Sequence, residues 1–324
     1  MGHIAFFGTP NFSVPCLKAV HRFCRDFGHE IALVVTQMDQ RAFRGQQLLP
    51  PPVKACALSL GIPVLQPQTL RKGTNDGDDF FARFIDYNID LTVVVAYGKL
   101  ISERLLRSSR CGFVNIHASL LPRFRGAAPI QRAIEAGDVK TGVCLMDMVK
   151  ALDEGDIYAC RETPILPSDT ADTLFRRLSN LGATILYENL DGLLAGRLAK
   201  VAQKGDGVVY APMVLKDEGV LNFAQPVRSI SHKVQAFDPW PGSFGFIRGK
   251  RIKLFDSFFI TDTTVHQSQP VGTIVAVGKF LGVKGLDGIV YFQAMQVEGK
   301  KALSIKDAIL GFPIVVGDKI FSSL

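Results

Sequence analysis

Short runs rich in β-branched residues alternate with amphipathic stretches through the first half of the chain, and this alternation limits the fold most. The runs are HIAFFG, EIALVV, IPVLQP, DLTVVVAYG, GFVNIHA and TGVCLMDMV. Helical patterns separate them near residues 13–27, 52–60, 77–88, 102–109 and 128–137. Such a rhythm predicts an α/β domain built on a Rossmann-like parallel sheet with helices on both faces.

The pattern changes after a long periodic helix that is predicted over residues 171–196. From about residue 207 onward, short strands alternate with turn signals, and one helical stretch lies near 225–237. This pattern is typical of a small β-barrel of the oligonucleotide-binding type, an OB-like barrel. We therefore predict a first domain over 1–196, a linker over 197–208 and a C-terminal β-barrel domain over 209–324.

Composition restricts the environment and the partners of the chain. No apolar run reaches about 18 residues, and the N-terminus enters a strand instead of a basic leader, so we expect a cytoplasmic protein. The six cysteines lack CxxC spacing, which predicts reduced and mostly buried thiols. The formal net charge is +7, and residues 201–324 hold 14 Lys and Arg against 10 Asp and Glu. This excess fits either a solvated surface or a polyanionic partner such as RNA.

Candidate catalytic residues follow the strand GFVNIHA. Asn115 and His117 lie two residues apart, so both side chains point to one face of a strand. The turn at Leu152–Asp156 supplies the carboxylate of Asp153 to the same edge. An amide, an imidazole and a carboxylate suit acyl transfer. The alternatives are a histidine that is only structural and an aspartate that serves the turn.

Other common chemistries lack their motifs in this chain. The first strand ends in Gly8-Thr9-Pro10-Asn11-Phe12 with one glycine, so the dinucleotide fingerprint GxGxxG is missing. The nucleophile motif GxSxG is also missing, and the histidines are scattered without HExxH spacing. We therefore expect no nucleotide cofactor, no covalent nucleophile and no metal.

The stretch NIHASLLPRFRGAAPIQ, followed by TGV and LDEGDI, resembles the folate-dependent formyltransferase family, specifically its members that act on methionyl-tRNA. FFGTPNF, TQMDQRAFRGQQLLPPPVK, VVVAYGKLI and AFDPWPG extend the resemblance over nearly the whole chain. The resemblance implies transfer of a formyl group from 10-formyltetrahydrofolate to the α-amino group of methionine on initiator Met-tRNA, in a bacterial cytoplasm. It implies no metal and no membrane, and we expect a monomer.

The resemblance also implies roles for individual residues of the first domain. Asn115, His117 and Asp153 take the catalytic positions of the family. The donor-binding positions match Val95, Ala96, Tyr97, Gly98, Ser119, Leu120, Leu121 and Pro122. Phe12 matches an aromatic of the methionine pocket, with core packing as the alternative. For Arg123 and Arg125 two roles stay open, namely a contribution to the site and an ordinary solvated charge.

RNA contacts are implied for a loop of the first domain and a surface of the second. Arg41 and Arg44 lie in the loop TQMDQRAFRGQQLLPPP, which matches the family's insertion at the tRNA acceptor end. Gln46 and Gln47 replace a basic pair of the family pattern there, and we expect the loop to be poorly ordered without RNA. In the second domain a basic surface for phosphates is predicted from Lys233, Arg248, Lys250, Arg251 and Lys253.

Three alternative functions remain open at this point. The nearest alternative is an enzyme that uses the same trio to formylate the amine of a nucleotide-linked sugar. Such a small substrate needs neither the Arg44 loop nor a basic second domain. A non-catalytic RNA-binding protein would not need the intact trio. A dinucleotide-dependent oxidoreductase would bind a nicotinamide cofactor.

Overall fold

Strands and helices alternate along the first half of the chain, as the sequence predicts. The computed structural model describes residues 1–41, 48–262, 264 and 268–323. Its strands are β1 His3–Gly8, β2 Glu30–Val35, β3 Gln40–Arg41, β4 Leu48–Leu49, β5 Val64–Leu65, β6 Leu91–Val95, β7 Phe113–His117, β8 Arg125–Gly126, β9 Lys140–Asp147, β10 Ile157–Pro164, β11 Tyr210–Ala211, β12 Ser243–Ile247, β13 Lys250–Thr261, β14 Ile274–Val277, β15 Leu281–Lys284, β16 Gly288–Val297 and β17 Leu303–Ser304. Its α-helices are α1 Ser13–Phe27, α2 Pro52–Ser59, α3 Asn75–Asp86, α4 Glu103–Leu106, α5 Pro129–Glu135, α6 Ala171–Leu194, α7 Val227–Ala236 and α8 Ile305–Gly311.

The larger sheet has seven strands in the order β10-β9-β7-β6-β1-β2-β5. Strands β5, β2, β1, β6 and β7 run parallel, which confirms the Rossmann-like α/β prediction. Because parallel strands end at one edge, the residues after β1, β6 and β7 come together there. β9 runs antiparallel to β7, a reversal that hydrophobic periodicity does not encode.

An aromatic cluster fixes the strands at the centre of this sheet. Phe7 in β1 makes edge-to-face contacts with Phe80, Phe84, Tyr97 and Phe113, at ring-centroid distances of 5.3 to 6.2 Å. All five side chains are buried. This geometry is the favourable one for aromatic pairs, so β1 packs tightly against Tyr97, which follows β6, and against Phe113, the first residue of β7.

The C-terminal sheet is antiparallel, in the order β12-β13-β16-β15-β14 with β17 on β16. Residues 319–321 bridge its outer strands, because Lys319 pairs with Thr273 just before β14 and Phe321 pairs with Phe246 of β12. The sheet thus curls toward closure, in line with the predicted barrel. Helix α7 confirms the prediction near 225–237, whereas the seven-residue α8 was not predicted.

The chain divides into two compact units. The first unit comprises residues 1–126, 140–163 and 175–210, and the second comprises 127–139, 164–174 and 211–324. The segment 197–208, predicted as a linker, therefore clusters with the first unit. The functional domain boundaries at 196 and 209 stay a prediction.

Two cysteines depart from the predicted reduced state. Cys144 in β9 and Cys160 in β10 form a disulfide with a Cα–Cα distance of 4.2 Å. The prediction was wrong for this pair, because neighbouring strands bring together residues whose sequence spacing carries no signal. Cys16 and Cys24 are buried free thiols, and burial raises the pKa of each to about 12. Among the described helices, none is long and apolar enough to cross a membrane.

Candidate active site

Asn115 and His117 both lie on β7, two residues apart, and so share one face of the strand. His117 is buried with 6% exposure, and Asn115 is half-buried opposite Val94 of β6. Within the part of the chain that the structure describes, no group forms a hydrogen bond with the Asn115 side chain. Its amide is therefore free to donate to a ligand above the strand.

The imidazole of His117 is held at one nitrogen and open at the other. Its Nε2 lies 2.9 Å from the carbonyl oxygen of Phe124. A carbonyl only accepts hydrogen bonds, so Nε2 carries a proton and Nδ1 bears the lone pair in the neutral ring. Nδ1 faces Oδ2 of Asp153 at 3.7 Å, too far for a hydrogen bond but within ion-pair range.

Asp153 reaches this histidine because the chain folds back after β9. Since β9 is antiparallel to β7, its last residue, Asp147, pairs with Val114, and the following segment must return toward His117. The Asp153 carboxylate then accepts a 2.8 Å hydrogen bond from the backbone N–H of Gly126. Gly155 is required in this segment, because a Cβ there would collide with the carbonyl oxygen of Asp147.

Three residues that border the site have positive φ angles. They are Ala96 at 46°, Phe124 at 60° and Asp153 at 52°. Non-glycine residues seldom adopt this region, which costs on the order of 1 kcal/mol or more unless surrounding contacts enforce it. Two of the three carry the groups that flank the His117 ring, so the surrounding structure imposes their unusual backbone.

The predicted donor-binding residues divide into a buried and an accessible set. Val95, Tyr97, Ser119 and Leu121 are buried, whereas Ala96 and Gly98 are exposed and Leu120 and Pro122 are half-buried. The accessible residues offer only apolar side chains and backbone atoms. Ala96 and Gly98 follow β6, whose Val94 pairs with Asn115 in the sheet.

Three hydrogen bonds from other segments of the chain fix the backbone at the end of β6. The Val95 carbonyl accepts a bond from Ser13 Oγ at 2.6 Å, and the Tyr97 carbonyl accepts bonds from Thr9 Oγ1 at 3.1 Å and Gln37 Nε2 at 2.8 Å. The Tyr97 ring points into the Phe7 cluster, and burial raises the pKa of its hydroxyl. Tyr97 therefore shapes this edge through its backbone and not through its phenol.

The loop that follows β7 is closed by its own contacts. Ser119 Oγ donates to the Arg123 carbonyl at 2.6 Å, so this buried hydroxyl serves the loop. Leu121 packs with Cys144 and Met146, and the Leu121–Pro122 peptide bond is cis. Leu120 and Pro122 remain as the partly open wall of the site.

The two arginines of this loop differ, although the sequence left both open. Arg123 is exposed and its guanidinium lies 4.6 Å from the centroid of the Phe124 ring. Arg125 is only 7% exposed and forms an ion pair with Glu154 at 3.0 Å. Arg125 is thus not a solvated charge.

The remaining predicted residues of the first unit have separate settings. Phe12 is buried, and its ring centroid lies 4.9 Å from that of Phe175. Arg41 is exposed in β3. Arg44, Gln46 and Gln47 lie outside the described residues.

Most of the predicted phosphate-binding residues in the second unit already have partners. Arg248 pairs with Asp318 at 2.6 Å, and Arg251 pairs with Glu298 at 3.8 Å. Lys253 donates to the Pro241 carbonyl at 2.7 Å, and burial lowers its pKa. Lys233 is half-buried and bonds to the Val220 carbonyl at 3.4 Å, whereas Lys250 is exposed.

Sequence reasoning missed three contributors to the site. The Phe124 carbonyl orients His117, Gly155 permits the return of the Asp153 segment, and Gln203 hydrogen-bonds to that segment. The motif LDEGDI contains the glycine, but nothing local distinguishes Gln203. Across residues 1–41, 48–262, 264 and 268–323, no cluster of three His, Cys, Asp or Glu side chains suits a metal ion.

Two family descriptions match the two halves of the chain. Residues 3–190 match the formyl transferase family, and residues 213–313 match the formyl transferase C-terminal domain. A fold similar to that of the chain occurs in an N-formyltransferase from Helicobacter canadensis, solved in complex with folinic acid and dTDP-3-aminofucose. The TM-score is 0.65 at 16% identity, over 90% of this chain and 99% of that one.

Full-length bacterial relatives narrow the assignment. The methionyl-tRNA formyltransferase of Polynucleobacter asymbioticus is 39% identical over 94% of both chains. The methionyl-tRNA formyltransferase of Geobacter metallireducens is 40% identical over 98% of both chains. The chain therefore belongs to the formyl transferase family, among the methionyl-tRNA formyltransferases.

Proposed function

We propose that this protein transfers a formyl group from 10-formyltetrahydrofolate to the α-amino group of methionine on initiator Met-tRNA. The observation that carries the proposal is a His117–Asp153 pair beside a free Asn115 amide, in a chain about 40% identical to methionyl-tRNA formyltransferases over nearly its full length. The bacterial relatives support a role in translation initiation in a bacterial cytoplasm. We propose that the protein acts as a monomer.

Asn115 stabilises the charge that develops on the formyl oxygen. As the amine attacks the formyl carbon, negative charge moves onto that oxygen, and an amide that donates there lowers the barrier. Loss of one such donor typically costs on the order of 100- to 1,000-fold in rate. The absence of any described partner for the Asn115 side chain supports this role, since the amide needs no rearrangement before it donates.

His117 accepts the proton that the attacking nitrogen loses. Its Nε2 proton is engaged by the Phe124 carbonyl, so the proton enters at Nδ1 and can leave from there to the departing nitrogen of the donor. Asp153, at 3.7 Å, stabilises the positive charge on the ring while it holds that proton. The formyl group arrives bonded to nitrogen and leaves bonded to nitrogen, so no oxidant or reductant is needed.

The accessible donor-binding residues fit a folate ring system. Ala96, Gly98, Leu120 and Pro122 offer apolar and backbone surface without a charge, which suits a flat heteroaromatic ring. When bound, the folate supplies the activated formyl group. The residues of this chain position that group beside Asn115.

RNA binding draws on the first-unit loop and on the C-terminal sheet. We propose Arg41 and Arg44 as contacts to the acceptor end and Phe12 as part of the methionine pocket. In the C-terminal sheet, Lys250 is the strongest candidate for a phosphate contact because it is exposed. Four further basic residues already have partners in the protein, and we propose that their charge only adds to the positive potential of this sheet: Lys233, Arg248, Arg251 and Lys253.

The test is formyl transfer from 10-formyltetrahydrofolate, with charged initiator tRNA and an amino-sugar nucleotide as rival acceptors. We expect transfer to the tRNA, a loss of at least about 100-fold in His117→Ala, and a weaker apparent tRNA affinity in Arg44→Ala that depends on salt. Transfer only to the amino-sugar nucleotide, with no salt dependence, would replace the proposal by the sugar reaction. A wild-type protein that binds tRNA without any transfer would support the non-catalytic alternative.

A further inference from the structure

Gln203 occupies a setting unlike that of its neighbours in the segment between the two matched family regions. Residues 201, 202 and 204 to 207 are exposed, whereas Gln203 is half-buried against the first unit. Its position falls after residue 190 and before residue 213, outside both matched regions. A polar side chain that is partly buried within an exposed segment requires hydrogen-bond partners.

The Gln203 amide uses its full hydrogen-bonding capacity. Nε2 donates to the carbonyl oxygens of Asp153 at 2.7 Å and Gly155 at 2.8 Å. Oε1 accepts from the Arg125 Nε at 3.1 Å and Nη2 at 2.9 Å. A primary amide has two donor protons and two acceptor positions, and all four are satisfied here.

Arg125 connects this amide to the rest of the catalytic segment. Its Nη1 pairs with Glu154, the residue next to Asp153, and its own backbone N–H bonds to the Val209 carbonyl at 2.9 Å. The side chain is 9% exposed, so its charge is held in place by these partners and not by water. Arg125 and Gln203 together bond to three consecutive residues, Asp153, Glu154 and Gly155.

These bonds hold a backbone that would otherwise relax. Asp153 has a φ of 52°, and Gln203 binds its carbonyl directly. The Asp153 carboxylate lies 3.7 Å from His117 Nδ1 and is bonded elsewhere to the Gly126 N–H, next to Arg125. A rotation of this segment would move the carboxylate away from the imidazole, and electrostatic stabilisation decreases when the geometry is lost.

We propose that Gln203, acting with Arg125, is a positioning residue that fixes the Asp153 carboxylate against His117, so that the segment between the two matched family regions is part of the catalytic machinery. The proposal rests on the proposed function for its kinetic consequence. The structural consequence, a fixed Asp153 segment, is independent of the substrate.

The test compares Gln203→Ala with Lys204→Ala, a change of the adjacent exposed residue. In single-turnover formyl transfer we expect Gln203→Ala to lower the rate constant on the order of tenfold, and Lys204→Ala to leave it within twofold. In steady-state transfer the KM for tRNA should be unchanged in both variants. In an Asp153→Asn background we expect Gln203→Ala to have little further effect, because both changes remove the same interaction. An equal tenfold loss in that background, or a wild-type rate in Gln203→Ala, would overturn the proposal.

A readout without turnover separates this proposal from the proposed function. The Gly126 N–H donates to Asp153, so its hydrogen exchange should accelerate on the order of tenfold in Gln203→Ala and remain unchanged in Lys204→Ala. If wild type fails to formylate Met-tRNA, the proposed function falls while this exchange still decides the positioning role. If Gln203→Ala does not fold, Gln203→Glu retains the Arg125 contact, loses the donor and should show the same exchange at Gly126; unchanged exchange overturns the proposal.

Discussion

The loop after β7 and the C-terminal sheet both carry arginines that the sequence associates with function, and the two regions treat those charges in opposite ways. Arg125 is enclosed beside the Asp153 segment, where it bonds to Gln203 and Glu154. Arg248 and Arg251 lie on the C-terminal sheet and pair with local carboxylates. A paired arginine can position the segment to which it bonds, whereas a paired arginine on a barrel face offers less charge to RNA.

The comparison shows that residue type is a weak guide to the role of a charge. A solvated arginine or lysine gains binding free energy when it contacts a phosphate. One that is already bonded must first lose an existing partner, which reduces that gain. The exposed Lys250 and the bonded Lys253 lie three residues apart on the same strand and differ in this respect. The following changes test where each kind of charge acts.

The largest effect is expected from Asp153→Asn. Replacement of the carboxylate by an amide removes the negative charge beside His117 while retaining the shape, so kcat should decrease on the order of 100-fold. Asp318→Asn is the matched control, since it removes a paired carboxylate from the C-terminal sheet, and it should leave kcat unchanged. Steady-state formyl transfer distinguishes the two, and equal losses would contradict the separation of roles.

Gly155→Ala should reduce stability and activity together. The added Cβ would overlap the Asp147 carbonyl oxygen, so the segment has to shift at a cost of about 2 kcal/mol in the free energy of unfolding. Gly249→Ala, at a positive-φ turn with open space around the Cβ, should be destabilising by a smaller amount and should leave kcat intact. Urea denaturation measures both, and a neutral Gly155→Ala would refute the steric argument.

Asp318→Asn should also reveal the internal use of Arg248. Hydrogen bonds from the Val315 N–H and the Arg248 guanidinium lower the pKa of Asp318 below its ordinary value. The ionised carboxylate therefore stabilises the fold above its unfolded pKa, and this stabilisation disappears as the pH falls through the lower folded pKa.

We expect a deficit of about 1 kcal/mol in the unfolding free energy of Asp318→Asn at pH 7. Thermal unfolding at several pH values should show the deficit shrinking once the pH falls below the ordinary carboxyl pKa and disappearing when the solution is more acidic than the lowered folded pKa of Asp318. A deficit that persists unchanged in strong acid would exclude the ion pair as its cause.

The smallest effect is expected at Lys250. Lys250→Ala should weaken tRNA binding about twofold to threefold and reduce the slope of log affinity against log salt by about one, because one phosphate contact is lost. Lys253→Met should change the slope less and should lower stability instead, since its ammonium group bonds to the Pro241 carbonyl. Equal salt slopes in both variants would contradict the distinction between exposed and bonded charges.

Much of the site was predictable because its residues lie within a few positions of each other or in one long motif. The spacing of Asn115 and His117 on a strand determines that they share a face. The return of Asp153 toward His117 follows from the antiparallel pairing of β9, which periodicity could not predict. Gln203 was not predictable, because its significance depends on carbonyl groups 48 and 50 residues away.

The sequence by itself determined the α/β alternation, the short strands of the second half and the candidate catalytic side chains, because these depend on local periodicity and on motifs of consecutive residues. Only the tertiary structure decided which charges are free, which thiols pair and which nitrogen of His117 is open. Such properties depend on partners that are distant in the chain, and burial decides their energy by removing the water that would otherwise satisfy them.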